Sequence, residues 1–186
     1  NSTDAISDND IEKRLARIWK ETLGIKQVNY SDDYFNMGGT SLMAVHLFAE
    51  INRLFGIKLP LATLYEAPTF QQMADMLHDH KSTPSWNSLV EIQSGGSKPP
   101  LFLIHAAGGN ILTYHRLVRH LGSEQAVYGL QAQGLDGEKP FNTRIEDMAA
   151  HYIQEIQTVQ PEGPYLLAGY CMGGTVALEM AQQLQA

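Results

Sequence analysis

Two folded units are predicted: an all-α four-helix bundle over residues 1–80, then a parallel α/β sheet over residues 86–186. Three observations predict them. Apolar residues recur at helical spacing through the first 80 positions. A polar breaker, Lys81-Ser82-Thr83-Pro84-Ser85, then interrupts the pattern and reads as a linker. Beyond it, short apolar runs alternate with helical stretches, the order of a sheet whose strands are joined by crossover helices.

In the first unit, Ile11, Leu15, Ile18 and the Trp19–Leu23 pair fall at helical spacing, and Gly24 follows as the residue that ends the helix. Residues 28–40 are polar and turn-rich. Ser41 opens a second helix whose apolar face is expected at Leu42, Val45, Phe48 or Ala49, and Leu54, with Gly56 closing it. Residues 60–65 leave room for a short turn or helix. Thr69 and Gln72 match the T-x-x-Q capping box, and Met73, Ala74 and Leu77 supply the apolar stripe of a last helix.

In the second unit, residues 88–93 read as a strand and Gly95-Gly96-Ser97 as a turn. Residues 101–105 are a compact apolar strand, followed by a Gly108-Gly109 loop and a helix through Leu112, His115, Leu117 and Leu121. Residues 126–130 form the next strand. A helix over 145–160 is expected to be capped by Thr143, with Glu146 three residues on. Residues 165–169 form another apolar strand, and 173–184 its helix.

Composition excludes several classes. The chain has 186 residues, 44% hydrophobic and 18% charged, as globular proteins do. Its apolar runs fall well short of the ~18 residues needed to cross a bilayer, so no membrane partner is expected and the location reads as cytoplasmic. Formal net charge is -7. Residues 1–80 carry 7 basic and 11 acidic side chains, the remainder 6 and 9, so neither half has the basic excess that nucleic acid requires. A single cysteine excludes an internal disulfide and a multi-cysteine metal site. No metal-ligand spacing occurs among His46, His78 and His80. The opening Asn1-Ser2-Thr3-Asp4 lacks an initiator methionine and a signal pattern, and reads as the interior of a longer chain.

The first candidate site is Ser41, at a helix start just after Gly38 and Gly39. Unpaired N–H groups and a partial positive charge at a helix N-terminus favour a phosphodiester on that hydroxyl, and the glycines leave room for an approaching group. A helix-start serine is equally explained as an N-cap. The stretch Asp32-Asp33-Tyr34-Phe35-Asn36-Met37-Gly38-Gly39-Thr40-Ser41-Leu42 resembles the core motif of nonribosomal peptide synthetase carrier domains, (D/N)-x-F-F-x-L-G-G-(H/D)-S-(L/I), with Met37 and Thr40 as departures. The similarity continues through Leu61-Ala62-Thr63-Leu64-Tyr65-Glu66-Ala67-Pro68-Thr69-Phe70 and covers nearly all of residues 8–80. It implies 4′-phosphopantetheine esterified to Ser41, with a thiol that carries an acyl or peptidyl group. It also implies a phosphopantetheinyl transferase as partner, and upstream condensation/adenylation or ketosynthase modules.

The second candidate site is Cys171. Gly169-Tyr170-Cys171-Met172-Gly173-Gly174 lies between a strand and a helix, matching the G-x-S-x-G nucleophile elbow with cysteine in place of serine. A strained turn there exposes the sulfur at the carboxyl end of the sheet. The N–H of Met172 then points where an oxyanion forms, and the loop His105-Ala106-Ala107-Gly108-Gly109 is placed to add the N–H of Ala107. A lone cysteine is otherwise most often a core thiol. Residues 86–186 resemble the thioesterase domains that end nonribosomal peptide and hybrid polyketide synthetases. The resemblance rests on Lys98-Pro99-Pro100-Leu101-Phe102, the 105–109 loop, Val127-Tyr128-Gly129-Leu130-Gln131, Gln160-Pro161-Glu162-Gly163-Pro164-Tyr165 and the elbow. It implies the first half of an α/β-hydrolase fold. Most members have serine at the elbow, and cysteine changes the energetics: the acyl group stays a thioester, nearly isoenergetic with its donor, and a thiol ionises more easily than a hydroxyl.

In that fold the acid and the histidine follow the nucleophile in chain order. After Cys171 come one acid, Glu179, and no histidine. Glu179 is eight positions along the same helix, ~12 Å away by rise, and cannot orient a base beside the sulfur. Upstream, His105 lies near the elbow, with a structural role in the loop or a role as base both open; His115, His120 and His151 read as solvated or packed. The expectation is therefore a carrier domain followed by part of a cysteine-type thioesterase. It would need the remainder of the thioesterase domain as partner and would not turn over by itself, and its strand 165–169 would belong to the centre of a larger sheet. A non-enzymatic carrier and tethering module is the rival, and a cysteine-dependent acyltransferase acting in trans shares the elbow.

Overall fold

A computed structural model of the chain describes residues 8–79, 86–135, 137 and 139–185. The expected linker 81–85, His80 and the opening Asn1-Ser2-Thr3-Asp4 lie outside the described residues. The chain divides into two compact units, Asn1–Ser85 and Trp86–Ala186.

The first unit contains helices α1 (Asp8–Leu23), α2 (Ser41–Phe55), α3 (Thr63–Glu66, a single turn) and α4 (Phe70–His78). Gly24 and Gly56 take the left-handed conformation that ends α1 and α2. Ile11, Leu15, Ile18 and Trp19 of α1 are fully buried, and the Trp19 ring meets Tyr34 and Phe70 edge-on at 6.0 and 5.6 Å. Thr69 and Gln72 form the reciprocal capping box at the start of α4. The loop before α2 is tied to the start of α4: Tyr34 N–H donates to the Pro68 carbonyl, and Phe70 N–H to that of Asp32.

The buried face of α2 shares Phe48 with the expected one and otherwise differs. Ala44, Leu47, Phe48 and Ile51 are buried, whereas Leu42 and Val45 are 69% and 47% exposed. The helix carries two apolar stripes, and packing against α1 selects the second. Ile51→Ala should therefore destabilise the unit by roughly 2–5 kcal/mol, against under about 0.5 for Val45→Ala. Urea midpoints of the two variants check this.

The second unit is built on a four-stranded sheet, order β1-β3-β2-β4: β1 (Leu89–Gln93), β2 (Lys98–Ile104), β3 (Gln125–Leu130) and β4 (Leu166–Gly169). The sheet is mixed, which corrects the expectation of a parallel one. β2 runs parallel to β3 and β4, but β1 pairs antiparallel with β3. The reason is connection length. Only a short turn joins β1 to β2, and a parallel return needs a crossover of a dozen or more residues. Helix α5 (His115–Leu121), after a 3-10 turn (Leu112–Tyr114), leads from β2 to β3; α6 (Ile145–Gln157) leads from β3 to β4, and α7 (Met172–Gln185) follows. The helices α6 and α7 pack on each other, α7 on β2 and β4 and α6 on β1. They enclose Phe102, Ile104, Leu130, Met148, Tyr152, Ile156, Val176 and Met180. Thr143 does not cap α6. The N-cap is Arg144, without a side-chain bond, and Glu146 and Asp147 in the first turn complement the helix dipole instead. Among the described residues β4 is an edge strand bonded to β2 alone, with Leu166 43% exposed.

Candidate functional site

Ser41 is the first residue of α2, and the residue before it provides the cap. Thr40 has extended backbone, and its hydroxyl accepts from the Met43 N–H at 3.3 Å. This corrects the reading of Ser41 as a candidate N-cap. Capping is done by its neighbour, which leaves the Ser41 hydroxyl available at the helix start. Gly38 takes φ 90°, with open space around it, while a Cβ on Gly39 would overlap the Tyr34 ring. Tyr34 is a further departure from the carrier motif, at a phenylalanine position, which the sequence reading passes over. Burial pushes its phenol well above the usual range, so it keeps its proton and donates to the Thr40 carbonyl at 2.8 Å. A buried aromatic thus holds the backbone one residue before Ser41. The freed hydroxyl, the helix N-terminus and the space at Gly38 fit a phosphopantetheine ester.

Cys171 lies between β4 and α7 and is exposed. Its φ of 56° is the only positive value among the described non-glycine residues. Such a conformation costs on the order of 1–3 kcal/mol and persists only where its surroundings impose it. Here the surroundings are glycines at close approach. A Cβ on Gly169 would overlap the Gly173 carbonyl, and one on Gly173 would overlap the carbonyl of Ile104. The start of α7 therefore packs directly on the end of β2, so the elbow and the 105–109 loop leave paired strands at the same end of the sheet, Gly169 opposite Ile104. Gly173→Ala should distort this contact and lower the thermal midpoint of the chain, followed by circular dichroism.

Met172 is the first residue of α7, where an N–H has no intrahelical acceptor. Ala107 is exposed in a turn closed by the Gly109 N–H donating to the Ala106 carbonyl at 2.9 Å. Met172 thus follows Cys171 directly, and Ala107 lies on the loop that leaves β2 where Gly173 packs.

His105 is committed elsewhere. It is 1% exposed; Nδ1 lies 2.6 Å from the Ala106 carbonyl and Nε2 2.6 Å from the Tyr152 hydroxyl. The carbonyl can only accept, so Nδ1 carries the proton and Nε2 faces the Tyr152 hydroxyl as an acceptor, with the Gln131 carbonyl 3.2 Å from the same hydroxyl. Burial, partly offset by the bond to Ala106, holds its pKa below the ordinary value. With both nitrogens bonded inside the core, His105 braces the loop and is not placed as a base. Between the depressed native value and the ordinary value near 6.5, the unfolded state binds the extra proton, so stability falls as pH drops below about 6.5. Urea midpoints of the second unit, followed by strand amide resonances, should decrease from pH 7.5 to 5.5, and His105→Asn should reduce that dependence.

His151 is neither free nor catalytically arranged. Its Nε2 lies 2.9 Å from the Ser88 hydroxyl and 3.8 Å from Glu155. Both partners face the same nitrogen, so no acid–base relay runs through the ring. Among the described residues no cluster of histidine, cysteine or carboxylate could hold a metal ion, and no helix is long and apolar enough to cross a membrane.

Comparison with known proteins bears on both units. Residues 13–77 match the phosphopantetheine attachment site family, and residues 99–186 the thioesterase domain family. A dimodular nonribosomal peptide synthase of Bacillus subtilis is 40% identical over 174 residues, 94% of this chain and 7% of that protein. Malpibaldin synthetase of Mortierella alpina is 38% identical over 182 residues, 97% of this chain and 3% of that protein. The chain therefore spans a small part of the length of these relatives. The crystal structure of a four-domain nonribosomal peptide synthetase, in its holo form with AMP and glycine, superimposes with TM-score 0.53 at 34% identity, over 100% of this chain and 14% of that one. In order, the chain thus matches a phosphopantetheine-binding carrier domain over residues 13–77 and a thioesterase domain over residues 99–186, and it is homologous to parts of nonribosomal peptide synthetases.

Proposed function

We propose that Ser41 carries the phosphopantetheine and that Cys171 receives the acyl or peptidyl chain during natural-product release or transfer. The observation that carries this reading is the strained, exposed conformation of Cys171 between β4 and α7. When attached, the prosthetic group supplies a flexible thiol that holds the chain as a thioester. In the transfer step the Cys171 sulfur attacks the thioester carbonyl. The Met172 and Ala107 N–H groups would donate to the developing oxyanion, and Cys171 would give up its proton to the departing thiol as the donor thioester bond breaks and the new one forms. An acyl thioester on Cys171 results, open to attack by an amine, alcohol or water.

The partners under this reading are a phosphopantetheinyl transferase, upstream condensation/adenylation or ketosynthase modules, and the remainder of a thioesterase domain supplying the acid and the base. Leu42 and Val45, exposed beside Ser41, offer such enzymes an apolar face. The test loads the chain with a transferase and an acyl-coenzyme A, then maps the acyl mass by peptide fragmentation. Acyl groups on the peptides of Ser41 and Cys171 support both assignments. An acyl group that never leaves Ser41, in the presence of an intact thioesterase domain, overturns the second.

A further inference from the structure

Pairing of β2 with β4 ends at Ile104 opposite Gly169. The next backbone groups in line are the Ile104 carbonyl and the Tyr170 N–H, and they are joined through a side chain. The Tyr114 hydroxyl donates to the Ile104 carbonyl at 2.5 Å and accepts from the Tyr170 N–H at 3.0 Å. Tyr114 ends the 3-10 turn after the 105–109 loop and is 6% exposed. An oxygen atom therefore stands where a direct N–H···O=C rung would continue the parallel ladder.

We infer that Tyr114 is a positioning residue for acyl transfer: its hydroxyl, inserted between the ends of β2 and β4, sets the spacing between the Cys171 elbow and the oxyanion loop. This rests on the reading of Cys171 as the nucleophile. Tyr170 directly precedes Cys171, and Ile104 directly precedes the loop that holds Ala107. One buried hydroxyl holds both, and the backbone N–H of His105 donates to the Leu130 carbonyl at 2.9 Å. A direct rung would bring the two strand ends together; the hydroxyl keeps them one atom further apart and satisfies both groups.

Two reactions of the single thiol separate positioning from mere support. Alkylation by iodoacetamide needs an exposed sulfur alone. Acylation by a small thioester, acyl-N-acetylcysteamine, also needs the oxyanion donors in register with it; the acyl group moves to Cys171 and N-acetylcysteamine leaves as the free thiol. In the whole chain, Tyr114→Phe should slow acylation about tenfold or more, as loss of one aligned donor does, while alkylation stays within about twofold. Val118→Ala, a buried neighbour on α5 without polar contacts, serves as the destabilised control and should leave the ratio of the two rates unchanged. Equal acylation by Tyr114→Phe and the parent chain overturns the inference, as does an equal fall in both reactions matched by Val118→Ala.

If the parent chain alkylates but never acylates, the Cys171 reading fails, and Tyr114 is then judged by hydrogen exchange. Protection of the Tyr170 amide should drop about tenfold or more in Tyr114→Phe. Unchanged protection means that the hydroxyl holds nothing.

Discussion

Ser41→Ala is expected to abolish attachment of phosphopantetheine, leaving the chain at its unmodified mass after incubation with a transferase, coenzyme A and magnesium. The effect is total because no other group can replace the esterified oxygen. The fold should survive. Ser41 makes no cap, and Thr40 continues to satisfy the Met43 N–H. An unchanged mass in the parent chain, or an adduct that persists in Ser41→Ala, overturns the assignment. Thr40→Ala gives the complementary result. It removes the cap, at a cost of about 1 kcal/mol to α2, and should slow modification without preventing it.

Cys171→Ala is expected to reduce acyl transfer in an intact thioesterase domain by about 10⁴-fold or more, the scale seen when a covalent nucleophile is deleted. No acyl mass should appear on the peptide containing residue 171. Cys171→Ser separates position from chemistry. The hydroxyl occupies the same elbow, but the acyl group now falls into a more stable oxoester. Some activity should remain, and a slowly turning acyl-enzyme should accumulate. Equal turnover by the parent and Cys171→Ala shows that the thiol is packing alone.

Neither variant should unfold the second unit, because the elbow's shape comes from its glycines. A Cβ at Gly169 or Gly173 collides with backbone, whereas an alanine at 171 retains the Cβ already present and needs only the same left-handed φ.

Features that depend on neighbours a few positions apart are legible in the sequence. Helix periodicity located α1, α2 and α4; Thr69 and Gln72 announced their capping box; and a glycine-flanked cysteine after an apolar run announced a turn between β4 and α7. The motif around Ser41 was legible for the same reason, being contiguous. Tertiary structure alone decided what depends on distant partners. Contact with α1 chose the buried stripe of α2, since both stripes satisfy the helical period. Apolar runs carry no strand direction, so the antiparallel pairing of β1 appeared only in the sheet. The role of His105 followed from Tyr152, 47 positions away, and that of Tyr114 from Tyr170, 56 positions away. Hydrogen bonds at such separations leave no periodic trace in the chain, and it is these that hold the site in shape.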